Sequence, residues 1–432
     1  MSLSSESPIT RWLKQVNGFS FALYATLMAF CCYTCVYAFR KTFSVATFDG
    51  LVYAGIRYKV WLVTFQVVGY ACSKFAGIKI ISELKSASRA SGILLMVTIA
   101  GLSWLLFAWV PAPYNIIFLF TNGFPLGLVW GMVFGYLEGR RFTEVLGAGL
   151  SVSFIFSAGF AKSVGGFIIR DWGVSELWMP FVTSCLFLVP LLIFLYLLDK
   201  LPPPSAEDEQ LRTRRQPMNA AERSQFIFTF WPGIVLFTLS YVLLTAFRDF
   251  RDNFAAEVWR TLGQGDSPEI FTKTEVPVSI IVLVVMGSIM IIKSNKLALM
   301  VNHIIIFLGM ALIGVSTLLF QQQLVSPTVW MILIGLGLYL GYVPFNSIFF
   351  DRMLATFQYV GTVGFIMYVA DSFGYLGSVS VLFFKEFGYA SVGWLDFFIS
   401  CAYIISVLGC LLIGGSMLYF HLKHRRWKMQ NA

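Results

Sequence analysis

Apolar residues along this 432-residue chain gather into long runs separated by short polar breaks. Twelve runs are readable, at approximately 18–40, 58–78, 91–110, 114–137, 146–169, 177–199, 226–248, 276–292, 298–320, 327–350, 359–384 and 393–420. Most hold about 20 residues, the length an α-helix needs to cross a hydrocarbon core of about 30 Å. The pattern predicts an all-α membrane protein of twelve transmembrane helices. The longest polar interruption, residues 200–225, is charged and contains Pro202-Pro203-Pro204, so it reads as a linker rather than a domain. It divides the chain into an N-terminal six-helix half, 1–199, and a C-terminal six-helix half, 226–432. Run four ends in Glu138-Gly139-Arg140-Arg141-Phe142 and run ten in Asp351-Arg352, each followed by a glycine-containing run. The echo predicts two pseudo-symmetric six-helix bundles. Such duplication marks secondary transporters, with the solute site near the membrane midplane between the halves.

Composition agrees with this pattern. The chain is 58% hydrophobic and 12% charged, and its mean hydropathy is +0.76. Seven cysteines all fall inside apolar runs, where they read as small packing residues rather than disulfides or metal ligands. The stretch Met1 to Asn17 is polar and leads into a span-length run, so no cleaved signal peptide is expected. With the N-terminus placed in the cytoplasm, nineteen of the 31 Lys and Arg fall on that side and nine on the other. The bias predicts both termini in the cytoplasm, in the inner membrane of a bacterial cell. It also accounts for the net charge of +9 without nucleic acid. There is no phosphate-binding glycine loop, no His/Cys cluster and no Ser-His-Asp set. The chain therefore reads as neither an ATP-driven pump on its own nor an enzyme, with no cofactor or metal, and as a monomer whose partners are the bilayer and a small anionic solute.

The candidate chemistry lies in charges placed within or at the ends of runs. Run one closes on Tyr33-x-x-x-Tyr37-x-x-Arg40-Lys41-x-Phe43, and run seven on Tyr241 followed by Arg248. In both, a tyrosine precedes an arginine by seven residues, two turns of one helix face. An arginine in hydrocarbon persists only where it meets protein, water or a counter-anion. Two, one per half, read as cationic clamps on one anionic ligand, since guanidinium binds phosphate or carboxylate bidentately. Lys74, Lys162 and Asp371 lie deep within runs two, five and eleven. Asp371 is the clearest mid-membrane acid, a candidate proton carrier or ion-pair partner. Asp249, Asp252 and Glu275 follow run seven or open run eight, where Asp249 reads as a solvated loop charge. Of the many aromatics, Tyr33 and Tyr37 are favoured because they share the Arg40 face.

Three stretches resemble the organophosphate:phosphate antiporter family of the major facilitator superfamily. They are the Tyr33–Phe43 pattern, Gly69-Tyr70-Ala71-Cys72-Ser73-Lys74-Phe75-x-Gly77 read as that family's Gly-Tyr-x-x-Ser-Lys-Phe segment, and Asp171-Trp172 through Met179-Pro180. The superfamily's Gly-x-x-x-Asp-Arg loop after span two is not present, and span five has no clear match to the family's histidine, its titratable residue being Lys162. The resemblance implies an anion-binding role for Arg40, carried to Arg248 by the internal repeat, and a solute-site or gating role for Lys74. It implies that Asp252 and Glu275 join a salt-bridge relay with Lys41 and Lys74, and that Asp371 meets Lys74. The implied function is secondary transport of a small organic anion, a phosphate ester exchanged for phosphate, by alternating access. The alternatives are a transporter-like sensor, a proton-coupled symporter of a carboxylate or sugar acid, and, least of all, a lipid enzyme.

Overall fold

The computed structural model describes residues 7–83, 88–138, 140, 143–204, 220–358, 363–389 and 391–430. Most of the expected linker, Gly139 and Arg141-Phe142 of the first echo, and the opening of run eleven lie outside the described residues. Fifteen α-helices are described. They are α1 (Pro8–Gln15), α2 (Gly18–Lys41), α3 (Tyr58–Glu83), α4 (Arg89–Trp109), α5 (Ile117–Gly135), α6 (Thr143–Arg170), α7 (Met179–Asp199), α8 (Ala220–Asn253), α9 (Ala255–Thr261), α10 (Ile270–Met290), α11 (Asn295–Gln321), α12 (Pro327–Ser347), α13 (Phe349–Thr356), α14 (Val363–Gly388) and α15 (Trp394–Gln430). Ten are long and apolar enough to cross a membrane, and α3 and α14, of 26 residues each, complete the expected twelve. The only strands described are β1 (Val52–Tyr53) and β2 (Ile56–Arg57).

The chain forms two compact units. The first holds residues 1–53 and 61–213, the second 54–60 and 214–432. Helix neighbours repeat within each. In the first unit α2 packs on α6 and α7, α4 on α5 and α7. In the second, α8 packs on α14 and α15, α11 on α12 and α15. The repeat makes α2 correspond to α8 and α6 to α14, so Lys162 and Asp371 sit on corresponding helices.

Local sequence sets the helix ends. The Asn17 side chain accepts from the Ser20 N–H at 2.8 Å, capping α2, and Ser326 caps α12 ahead of Pro327. Two pairs of glycines let backbones touch. A Cβ on Gly69 or Gly123 would strike the backbone of α5 or α3 respectively, and one on Gly309 or Gly337 the backbone of the other's helix. Apolar side chains such as Leu95, Leu102 and Val284 face outward, as lipid-covered helices require.

Two helix boundaries differ from the hydropathy reading. The seventh run was expected to end at Arg248, but α8 continues to Asn253, and it begins at Ala220, inside the expected linker. Asp249, Arg251 and Asp252 are therefore buried helix residues rather than loop charges. Their charges end the apolar run without ending the helix, because the backbone ladder continues and partners neutralise the side chains. Likewise α10 begins at Ile270, which places Glu275 inside the helix, buried.

Candidate functional site

Each unit carries its own constellation around the repeated arginine. In the first, Arg40 lies in the last turn of α2, where backbone carbonyls lack helical partners. Side chains from three other helices supply them. The Phe39 carbonyl accepts from Trp104 Nε1 at 2.5 Å and Asn122 Nδ2 at 3.1 Å, and the Arg40 carbonyl from Gln66 Nε2 at 2.7 Å. Gln66 also donates to Asn122 Oδ1 at 2.9 Å, which closes the network. The backbone under Arg40 is thus fixed by α3, α4 and α5 together.

The Arg40 side chain, 9% exposed, lays its guanidinium 3.6 Å from the centre of the Tyr70 ring. Lys74, one turn further along α3, brings its ammonium to 5.0 Å from the same ring and 5.9 Å from that of Trp130. Trp130 in turn stacks on Phe134. Two cations close to one tyrosine ring form a basic, aromatic cluster, and the planar guanidinium of Arg40 suits an oxyanion. Tyr33 and Tyr37 are buried with rings edge to face at 6.2 Å. Lys41 and Lys162 are both buried as well.

In the second unit Arg248 donates to Asp249 Oδ1 from Nη2 at 2.8 Å and from Nε at 3.1 Å, and its guanidinium lies 4.3 Å from the Tyr342 ring centre. Tyr342 stacks on Tyr241, whose hydroxyl donates to Asp371 Oδ1 at 2.5 Å. Both repeated arginines therefore lie over a tyrosine ring contributed by another helix. Their charge settings differ: Asp249, expected to be a solvated loop charge, is buried against Arg248. A further buried pair joins Arg251 to Glu275 at 2.6 Å. Arg251 also donates to the Met331 carbonyl at 3.2 Å. Glu275, implied by the family resemblance to join Lys41 and Lys74, is thus held by Arg251. Asp371, implied to meet Lys74, takes its hydrogen bond from Tyr241. Asp252 is buried beside them.

A second charged cluster in this unit was not foreseen. Within residues 54–60, Arg57 bonds Glu386 at 2.9 Å from Nε and lies 4.1 Å from the Trp394 ring centre. Lys59, 2% exposed, reaches both oxygens of Glu257, at 2.6 and 2.8 Å. Burial pushes the Glu257 carboxyl above the ordinary carboxylate range, and the Lys59 ammonium opposes that rise. The one sequence signal was two cations in the three residues Arg57-Tyr58-Lys59 at the start of a helix. No charge pattern in the sequence identifies their acids, some 200 and 330 residues away.

A family described as "Family of unknown function (DUF5690)" matches residues 42–423. No curated protein matches the chain. Among solved structures, a D-xylose-proton symporter is similar with a TM-score of 0.60 and 15% identity, over 90% of this chain and 97% of that one. The xylose transporter XylE from E. coli, in an inward-open conformation, is similar at 0.56 and 14%, over 91% and 94%. The human organic anion transporter MFSD10 (TETRAN) is similar at 0.53 and 12%, over 95% and 100%. At such identities the likeness speaks to fold, which is the all-α, multi-pass membrane fold of the major facilitator superfamily. With nearly its whole length matched, the chain belongs to the family of unknown function DUF5690, built on the major facilitator fold.

Proposed function

We propose that this protein is a secondary transporter of a small organic anion, a phosphate ester exchanged for phosphate by alternating access. The observation that carries the reading is the buried Arg40, held over Tyr70 with Lys74 on the same ring. A guanidinium kept in a membrane span, on a backbone fixed by Trp104, Asn122 and Gln66, is preorganised for a planar oxyanion. Arg248 already shares its charge with Asp249. The proposal makes Arg40, over Tyr70, the principal anchor, with Lys74 adding charge and Tyr33 and Tyr37 completing the lining. Arg248 and Tyr241 form the second, weaker contact. Lys41, Lys162, Asp252, Glu275 and Asp371 serve gating or coupling.

Two of the structural relatives carry names that fit, one a proton symporter and one an organic anion transporter. The Tyr33–Phe43 and Gly69–Gly77 stretches favour a phosphate ester among anions. We place the protein in the cytoplasmic membrane, as a monomer with both termini inside. The test is counterflow of labelled phosphate in proteoliposomes loaded with phosphate, glycerol phosphate or a hexose phosphate. Exchange by the wild type that is lost in Arg40→Ala supports the proposal. Well-folded protein that exchanges with none of these loads overturns the phosphate-ester reading, and tight binding without exchange turns it toward a sensor.

A further inference from the structure

Asp371 is nine-tenths buried in α14, and among the described residues it forms no salt bridge. Its hydrogen-bond partner is a phenol. Tyr241 Oη lies 2.5 Å from Asp371 Oδ1, 3.1 Å from Tyr342 Oη, and 3.4 Å from the Asn346 amide nitrogen. The Tyr342 ring in turn lies beneath Arg248. Among the described residues, the charged and titratable groups around the acid include Tyr241, Arg248 and Asp249 from α8, Tyr342 from α12, and Tyr375 from its own helix. Neighbouring α13 carries Asp351 and Arg352, the latter bonded to Asn295 at 2.8 Å. Arg248, the cation of this group, is already engaged by Asp249.

A phenol has one proton to give, so this chain has two arrangements. With Asp371 ionised, Tyr342 donates to Tyr241 and Tyr241 donates to the carboxylate. With Asp371 protonated, the acid donates to Tyr241 Oη, and Tyr241 donates onward to Tyr342 Oη. One proton from water, taken up as carboxylate becomes carboxylic acid, reverses both bonds with no other atom exchanged. It also removes one negative charge from the surroundings of Arg248. An anionic solute near Arg248 then meets less repulsion, and by reciprocity a bound anion favours the protonated acid.

We propose that Asp371 is the proton site of this protein, and that Tyr241 and Tyr342 pass its protonation state to Arg248, so that proton and anion bind together. The proposal rests on the anion-transport reading above and adds to its exchange mode a proton-coupled uptake of the anion. Exchange of like for like through such a carrier needs no net proton movement, so counterflow and coupling are separate readouts.

The test has two arms. Infrared difference spectra of purified protein, recorded on acidification, are expected to gain the carbonyl stretch of a protonated carboxyl. Asp371→Asn should lack that band, and Tyr241→Phe should shift it. Spectra that are the same in wild type and Asp371→Asn overturn the proton site. In proteoliposomes, a gradient one unit more acidic outside is worth about tenfold accumulation for one proton per solute. Wild type should accumulate labelled glycerol phosphate to that extent, Asp371→Asn should not, and Tyr342→Phe should accumulate less. Wild type that exchanges glycerol phosphate but ignores the gradient overturns the coupling. Wild type that exchanges no probe overturns the transport reading instead, and the infrared arm still decides the proton site.

Discussion

At the scale of single residues, the proposed functional positions include charges in hydrocarbon that lie against an aromatic ring. Arg40 has a ring, Tyr70, beneath it. A desolvated cation–π contact contributes about 1–2 kcal/mol, so Tyr70→Leu should weaken solute binding by about tenfold while Tyr70→Phe changes it little. The half-saturation concentration for exchange reads this directly. Arg251 and Glu275 present the opposite case, a buried pair of opposite charges. Glu275→Gln leaves a buried guanidinium uncompensated, at a cost of about 3–5 kcal/mol, seen as a lower Tm in detergent. Replacing both, Arg251→Met with Glu275→Gln, should recover much of the loss. Arg40, Lys74 and Asp371 were readable in the sequence because each interrupts an apolar run. Tyr70, Asn122, Gln66 and Tyr342 were not singled out as site partners, because an aromatic or amide in a span looks the same whether it faces a partner helix or lipid.

At the scale of elements, helix ends and helix contacts decide where those residues sit. The last turns of α8 lie beyond the hydropathy boundary, since Arg248, Asp249, Arg251 and Asp252 make the stretch polar although the structure buries all four nine-tenths or nearly so. Hydropathy sees composition and not pairing, which is why the end of run seven was misplaced while ten other spans fell close to their helices. The approach of α3 to α5 rests on Gly69 and Gly123. Gly123→Leu should separate these helices, loosen the Gln66–Asn122 hold on Arg40, and reduce exchange together with stability. Gly287, with open space around its Cα, should accept alanine without loss. The segment 54–60 belongs to the second unit through Glu257 and Glu386. Burial raises the Glu257 carboxyl in the folded protein. Its contribution to stability is thus full below the ordinary glutamate value and declines as pH rises through the raised one. The Tm of wild type relative to Glu257→Gln should accordingly fall as pH is raised from about 4.5.

At the scale of the whole molecule, the fold was legible because a bilayer imposes one length and one polarity on every span. The Tyr–Arg spacing suggests a repeat, and the neighbour pattern of α2, α6 and α7 recurs in α8, α14 and α15. The symmetry is broken where the chemistry is. One arginine stands with a lysine on a shared ring, and its counterpart stands with an aspartate and a phenol chain leading to a buried acid. The two proposals divide in the same way, with the anion anchor at Arg40 in one unit and the proton site at Asp371 in the other. The most direct test is counterflow of labelled phosphate into proteoliposomes loaded with glycerol phosphate, with wild type beside Arg40→Ala and Arg40→Lys. The account predicts exchange by the wild type, none by the alanine variant, and a weakened remnant with lysine, which keeps the charge but not the bidentate fork. Exchange that survives intact in Arg40→Ala would contradict it.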